Sequence, residues 1–251
     1  MTPAPTPPPI EAAPGPKQMS EGARLAGVFF SPGKAFADIA LRPRWWIPVI
    51  LSAILSTVYL NAFSSRVGWE QVIRQAMEQS PQVQNMPAPQ REQLIRNAAG
   101  IYKYVGYAAP VLSLFYVFII SVGLLLLFDV MMGAEIGLKR LMGVVSYAFL
   151  PLMIFTALSI VVLFLKNPED FDLQNPLMFN VGAFLNSDAP AWLKAIGRSV
   201  DLFSFWVIAL LAIGLVAASR KKMSFGKALT GIAIPWMLFV AVITSLAALR
   251  G

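Results

Sequence analysis

Five long runs without a single Asp, Glu, Lys or Arg set the terms for this chain: Trp45–Phe63, Pro110–Phe128, Tyr147–Leu165, Leu202–Ser219 and Gly231–Ala248. A bilayer core about 30 Å thick takes roughly 20 apolar residues in a helix, and each run comes close. The second is the strongest, with fourteen Val, Leu, Ile or Phe between Val111 and Phe128. At about −0.3 to −0.6 kcal/mol apiece, these favour insertion by roughly 4 to 8 kcal/mol. Composition agrees: 57% of the 251 residues are hydrophobic and 13% are charged, where a soluble domain carries about 25% charged residues. The sequence predicts an all-α integral membrane fold, five transmembrane helices plus short amphipathic surface helices, over residues 21–251.

The catalytic inventory is nearly empty. The chain has no Cys and no His, which removes thiol chemistry, the Ser-His-Asp triad and the commonest transition-metal ligand. The two-histidine zinc motif and the Walker A loop are absent as well. The acids are scattered. Asp129 abuts one end of the second span, within reach of Lys139 or Arg140, and Asp201 abuts the other end of the fourth span. The two belong to opposite leaflets and read as structural carboxylates, not as an aspartyl dyad. The sequence therefore predicts no catalytic residue, no cofactor and no metal site.

The net charge of +7 is confined to segments between the apolar runs. It reads as membrane-surface charge with no nucleic-acid role. With the N-terminus inside, the inner segments carry 11 basic and 5 acidic residues, and the outer ones 9 and 8. Arg220-Lys221-Lys222 with Lys227 forms the densest inner cluster. That bias predicts a cytosolic N-terminus and an outside C-terminus, in a bacterial cytoplasmic membrane. Residues 1–20 read as a disordered Pro-rich tail, with seven prolines and no basic residue among the first sixteen, and not as a signal peptide.

The connecting segments carry order of their own. Residues 23–41 predict an interfacial helix, with Phe36, Ile39 and Ala40 on one face. Arg42-Pro43-Arg44-Trp45-Trp46 then supplies cations and indoles suited to the headgroup level. In the first outer loop, Trp69, Val72, Ile73, Ala76 and Met77 follow helical spacing, and so do Leu94, Ile95, Ala98, Ile101 and Tyr102. These predict a hairpin of two short amphipathic helices on the leaflet or capping the bundle. Pro48, Pro110, Pro151 and Pro235 stand near span starts and predict bends between surface helices and spans.

Several segments together resemble the Yip-one domain family of Ypt/Rab-interacting, five-span membrane proteins, in its prokaryotic branch. They are Phe30-Ser31-Pro32-Gly33-Lys34-Ala35-Phe36 with Pro43, Trp45 and Pro48; Lys139-Arg140-Leu141 with Tyr147-Ala148 and Leu150-Pro151; and Asp201-Leu202-Phe203-Ser204-Phe205-Trp206 with Ala212-Ile213-Gly214-Leu215. The resemblance covers roughly residues 25–248. It implies a five-helix bundle with a cytosolic N-terminus. Eukaryotic relatives bind small GTPases in vesicle traffic, but their Asp-Leu-x-Gly-Pro signature is absent from this sequence, so that role is not carried over.

These features predict a non-enzymatic membrane protein that organises other proteins or the bilayer. Anionic lipid and a protein partner or a second copy are the expected contacts. The surfaces expected to make them carry Arg42, Arg44, Trp45, Trp46, Lys139, Arg140, Arg220, Lys221, Lys222 and Lys227. The alternative is a small-molecule or lipid carrier, which requires a cavity near the prolines lined by Ser, Asn or Tyr.

Overall fold

The computed structural model describes residues 18–78, 81–173, 175–186, 188–221 and 223–249. The Pro-rich tail through residue 17 and Lys222 lie outside them. Among the described residues eleven α-helices follow one another, and no strand forms beyond an isolated bridge between Asn180 and Asp201. Trp46–Arg66 (α3 below) and Phe225–Ala248 (α11) are long and apolar enough to cross a bilayer, as are the helical stretches Ala88–Met131 and Leu138–Leu165. Leu202–Ala218 (α10) is apolar but shorter, at 17 residues. That is about 25 Å of helix, the lower limit for a span. The chain is an all-helical integral membrane protein.

Ahead of the first span lie α1 (Glu21–Phe30) and α2 (Pro32–Leu41). The sequence reads one interfacial helix here; the structure folds two. Ser31 takes φ −151° and ψ 59°, because a residue before proline is pushed out of the helical region. The pair does not simply lie on a membrane surface. Val28, Ala35, Phe36 and Ile39 are fully buried in the main core. Phe29 meets the Trp206 ring edge-on at 5.6 Å on α10, while Phe36 reaches Gly214 further along it. At the other end of the pair, Ile39 and Pro43 pack on Gly143 of α7 (Leu138–Ala148). The hairpin thus straps α7 to α10.

α3 (Trp46–Arg66) leads away from this hairpin end. Beyond it α4 (Trp69–Glu78) and the single turn α5 (Pro81–Gln84) precede α6 (Ala88–Leu124), which returns through a π-helical stretch, Leu125–Met131. The second amphipathic segment of the outer loop is therefore no separate surface helix; it is the start of α6, and Pro110 sits inside that helix. The 37 residues of α6 extend about 55 Å, far past a hydrocarbon core of about 30 Å. The reason is energetic. Proline forfeits one ladder bond, whereas ending the helix near the hydrocarbon would strand several backbone groups. The two stripes do meet: Ile73 on α4 is buried with Ile95 and Ala99 on α6.

α7 and α8 (Leu150–Leu165) carry the chain back toward the far end of α3, with a break at Phe149 just before Pro151. Arg66, at the end of α3, donates to the carbonyls of Leu163 at 2.8 Å and Phe164 at 3.0 Å. This caps the α8 C-terminus with a cation and fixes α3 and α8 end to end. α9 (Ala191–Ser199) leads to α10, the central helix, and α11 (Phe225–Ala248) closes the bundle. Pro48 lies in the first turn of α3, while Pro235 sits inside the continuous α11.

Close approach at the core depends on a missing side chain. A Cβ on Gly214 would stand 2.5 Å from Val144 Cγ1 and 3.0 Å from Phe36 Cδ1, whereas one on Gly123 would meet nothing. Gly214→Val should therefore destabilise the protein by about 1–3 kcal/mol more than Gly123→Val. Thermal midpoints in detergent, compared between the two variants, check this.

Candidate functional site

The hairpin end is organised by a charge buried where the pattern calls for an apolar residue. Arg24, Gly27 and Val28 form the buried stripe of α1, and the Arg24 side chain is only 1% exposed. Its Nε donates to Asp38 Oδ2 of α2 at 2.6 Å. Its Nη1 donates to Glu21 Oε1 at 2.9 Å and to the Arg42 carbonyl at 3.2 Å. Tyr147, fully buried on α7, donates its hydroxyl to Glu21 Oε2 at 2.7 Å. Arg44 donates to Glu21 Oε1 at 3.0 Å, and Arg42 donates to both Asp38 and Gln18. One buried guanidinium thus joins α1, α2 and the connector to the first span, and Glu21 carries the link on to α7.

Removing such a cation from water costs several kcal/mol, which only close, hydrogen-bonded partners offset. Burial alone would lift the Asp38 carboxyl, but hydrogen bonds from Arg24 and Arg42 outweigh it and hold the group below the usual carboxylate range. Burial alone would favour loss of the Arg24 proton; the hydrogen bond and charge of Asp38, helped by Glu21, push its pKa up instead. Both groups therefore stay ionised at neutral pH.

Sequence reasoning placed Arg42 and Arg44 among the membrane-surface contacts. The structure turns their guanidiniums onto Asp38 and Glu21, with Arg44 still half exposed. Trp45 and Trp46 follow directly at the start of α3, Trp46 exposed and Trp45 half buried. Glu21, Arg24, Asp38 and Tyr147 went unnoticed as a site. The available signal was Arg24 three and four residues before Gly27 and Val28, a cation inside an apolar stripe.

The basic cluster lies at the same end, where α10 finishes. Lys221 pairs with Glu135 at 2.8 Å, and Ser219 donates to the Ala134 carbonyl at 3.0 Å. The Lys221 ammonium holds the Glu135 carboxyl below its ordinary range. Arg220, Lys227 and Lys139 are exposed and Arg140 is half buried. Asp129 takes neither Lys139 nor Arg140 as its hydrogen-bond partner. Its two oxygens accept from Ile136 N at 2.8 Å and Gly137 N at 2.7 Å, closing the loop before α7. Asp201, at the opposite end, N-caps α10 by accepting from Phe203 N and Ser204 N, both at 2.9 Å.

Between α3, α6 and the α7–α8 break lies a recess of about 180 Å³, lined by Pro48 and by hydroxyls including Ser52, Ser56, Ser113, Ser146 and Thr156. Ser113, Ser146 and Thr156 donate to carbonyls of their own helices. No group of three acids or other ligating side chains able to hold a metal occurs among the described residues.

The Arg24–Asp38 pair yields a signed expectation. Because the folded Asp38 pKa is depressed, its stabilisation is complete above the unfolded-state value of about 3.9. It is lost as pH falls through the lower folded value. Asp38→Asn should cost about 3–5 kcal/mol near neutral pH and should flatten the fall of the thermal midpoint below about pH 4. Melting curves across pH, wild type against variant, check both.

No curated protein and no solved structure matches the chain. The Yip1 domain matches residues 26–246, from the middle of α1 almost to the end of α11. With nearly the whole described bundle inside that match, the chain belongs to the Yip1 domain family.

Proposed function

We propose that this chain is a non-enzymatic Yip1-domain protein of the prokaryotic branch that organises partners or lipid at the cytosolic face of a bacterial cytoplasmic membrane. The observation that carries the reading is the Arg24 lock. A segment that spans nothing is locked to itself by a buried cation and linked through Glu21 to α7, at a desolvation cost that stability alone does not demand. A fixed hairpin is useful as a platform. Its outward side offers Phe30, 85% exposed at the hairpin tip, together with Leu41. Arg220 and Lys227 are exposed just beyond the C-terminal end of α10. Each cation near an anionic leaflet adds about 1 kcal/mol of attraction, which supports a cytosolic orientation for this end. Membership of a generally non-enzymatic family and the lack of His and Cys support the absence of catalysis.

Photo-crosslinkers placed at Phe30 and at Lys34, in native membranes, test the platform. The reading expects one discrete adduct, of the same mass from both positions and a few-fold weaker once Arg24→Met releases the hairpin. A chain that stays monomeric and unlinked from both positions contradicts it.

A carrier is the second reading, favoured by the hydroxyl-lined recess of about 180 Å³ beside Pro48. Ser52→Phe fills that recess while leaving the hairpin untouched. A carrier loses its flux in this variant; a scaffold has no flux to lose and keeps its crosslinks.

A further inference from the structure

At the end of the bundle opposite the hairpin, a second cavity is built from different chemistry. The chain turns at Gly68, with φ +83°, and lays the Trp69 indole against α6. A Cβ on Gly106 would stand 2.5 Å from Trp69 Cη2, and Phe63 meets the indole edge-on at 5.0 Å. α4 is then pinned to α6 by a two-point pair, Arg74 Nη1 to Glu92 Oε1 at 2.5 Å and Nη2 to Oε2 at 3.0 Å. These contacts hold open a recess of about 700 Å³ between the end of α3, α4 and α6.

Its α6 wall includes Arg96, Gly100 and Lys103. The spacing i, i+4, i+7 puts all three on one helix face. Gly100 leaves a gap between the two cations, since a Cβ there would meet nothing within 4 Å. Arg96 and Lys103 are exposed and form no ion pair among the described residues. Arg74 also lines the recess but is paired with Glu92, which leaves Arg96 and Lys103 against a single lining acid, Glu70. A concave site with this surplus of cations suits an anion of phosphate size.

The setting says which phosphate. Immediately toward the apolar part of α6 stand Tyr104, 80% exposed, and Tyr107, whose hydroxyl donates to Asn61 of α3 at 3.3 Å. Exposed tyrosines between a charged turn and an apolar run mark the headgroup level. Past them Val111, Leu114 and Phe118 are exposed on the same face of the helix, a surface for acyl chains. We propose that this recess binds the phosphodiester headgroup of an anionic phospholipid, with Arg96 and Lys103 gripping the phosphate across Gly100. The site lies at the end away from the platform and does not depend on it.

The test uses the full chain in neutral detergent, titrated with phosphatidylglycerol, phosphatidylcholine or inorganic phosphate, reading the thermal midpoint. Phosphatidylglycerol should raise the midpoint saturably, and the other two should not. Arg96→Gln with Lys103→Gln should weaken the phosphatidylglycerol response, measured against the variant's own unliganded midpoint, at least tenfold. Gly100→Leu, which fills the gap, should abolish it. Arg220→Gln with Lys227→Gln, at the other end, should retain it. Equal shifts from the two lipids, a wild-type response in the Arg96/Lys103 variant, loss only in the Arg220/Lys227 variant, or the same saturable shift with inorganic phosphate each overturn the proposal.

Discussion

Hydrocarbon offers no hydrogen bonds, and that constraint shapes the rest of the molecule. Every backbone group within the apolar layer must be satisfied by its own segment, so the five apolar stretches are helical and the polar connections gather at two ends. The same constraint explains the exposed surface. Phe115, Ile119, Phe164, Leu238 and Phe239 face outward on three different helices. In water that would be an aggregating surface; in lipid it is the solvated one. The tightly packed interior is consequently small and centres on α10, where Leu211, Ala212 and Leu215 meet α2 and α7.

Within that frame the N-terminal hairpin is the unusual element. Helices in lipid gain little from the hydrophobic effect and depend on close packing and polar contacts. α2 obtains the first from Gly143 and Gly214, which admit Ile39, Pro43 and Phe36. α1 obtains the second from Arg24, which is satisfied by two carboxylates and a carbonyl. Neither device holds without the other. The glycines set the separation at which Tyr147 can reach Glu21, and the ion network fixes the register at which Phe36 meets Gly214.

The spans were legible because uninterrupted apolar length is a cumulative signal, and one polar residue more or less does not erase it. The contact between the stripes at 69–77 and 94–102 was legible in their helical spacing, but the second stripe is the start of α6 and not a short surface helix. What was not legible depended on partners distant in sequence. Arg42 and Arg44 look like any basic pair before a span, and only the fold reveals that Asp38 and Glu21 wait for them. Asp129 looked like half of an ion pair with Lys139 or Arg140, yet two backbone amides seven and eight residues on are nearer. The continuity of α6 was missed because Pro110 is a strong local breaker, and local propensity yields where hydrocarbon makes an open backbone costlier. Ser31-Pro32 is the converse case: outside the long apolar runs, the same residue type did end a helix.

The central claim, that lipid is the solvent of the long apolar helices, is tested most directly by hydrogen exchange on the protein in nanodiscs, followed by removal of lipid and detergent. The account predicts deep protection across α3, α8, α10, α11 and the apolar half of α6. It further predicts that the chain precipitates once nothing apolar surrounds it. A folded, monodisperse chain in plain buffer, with those helices equally protected, would contradict it.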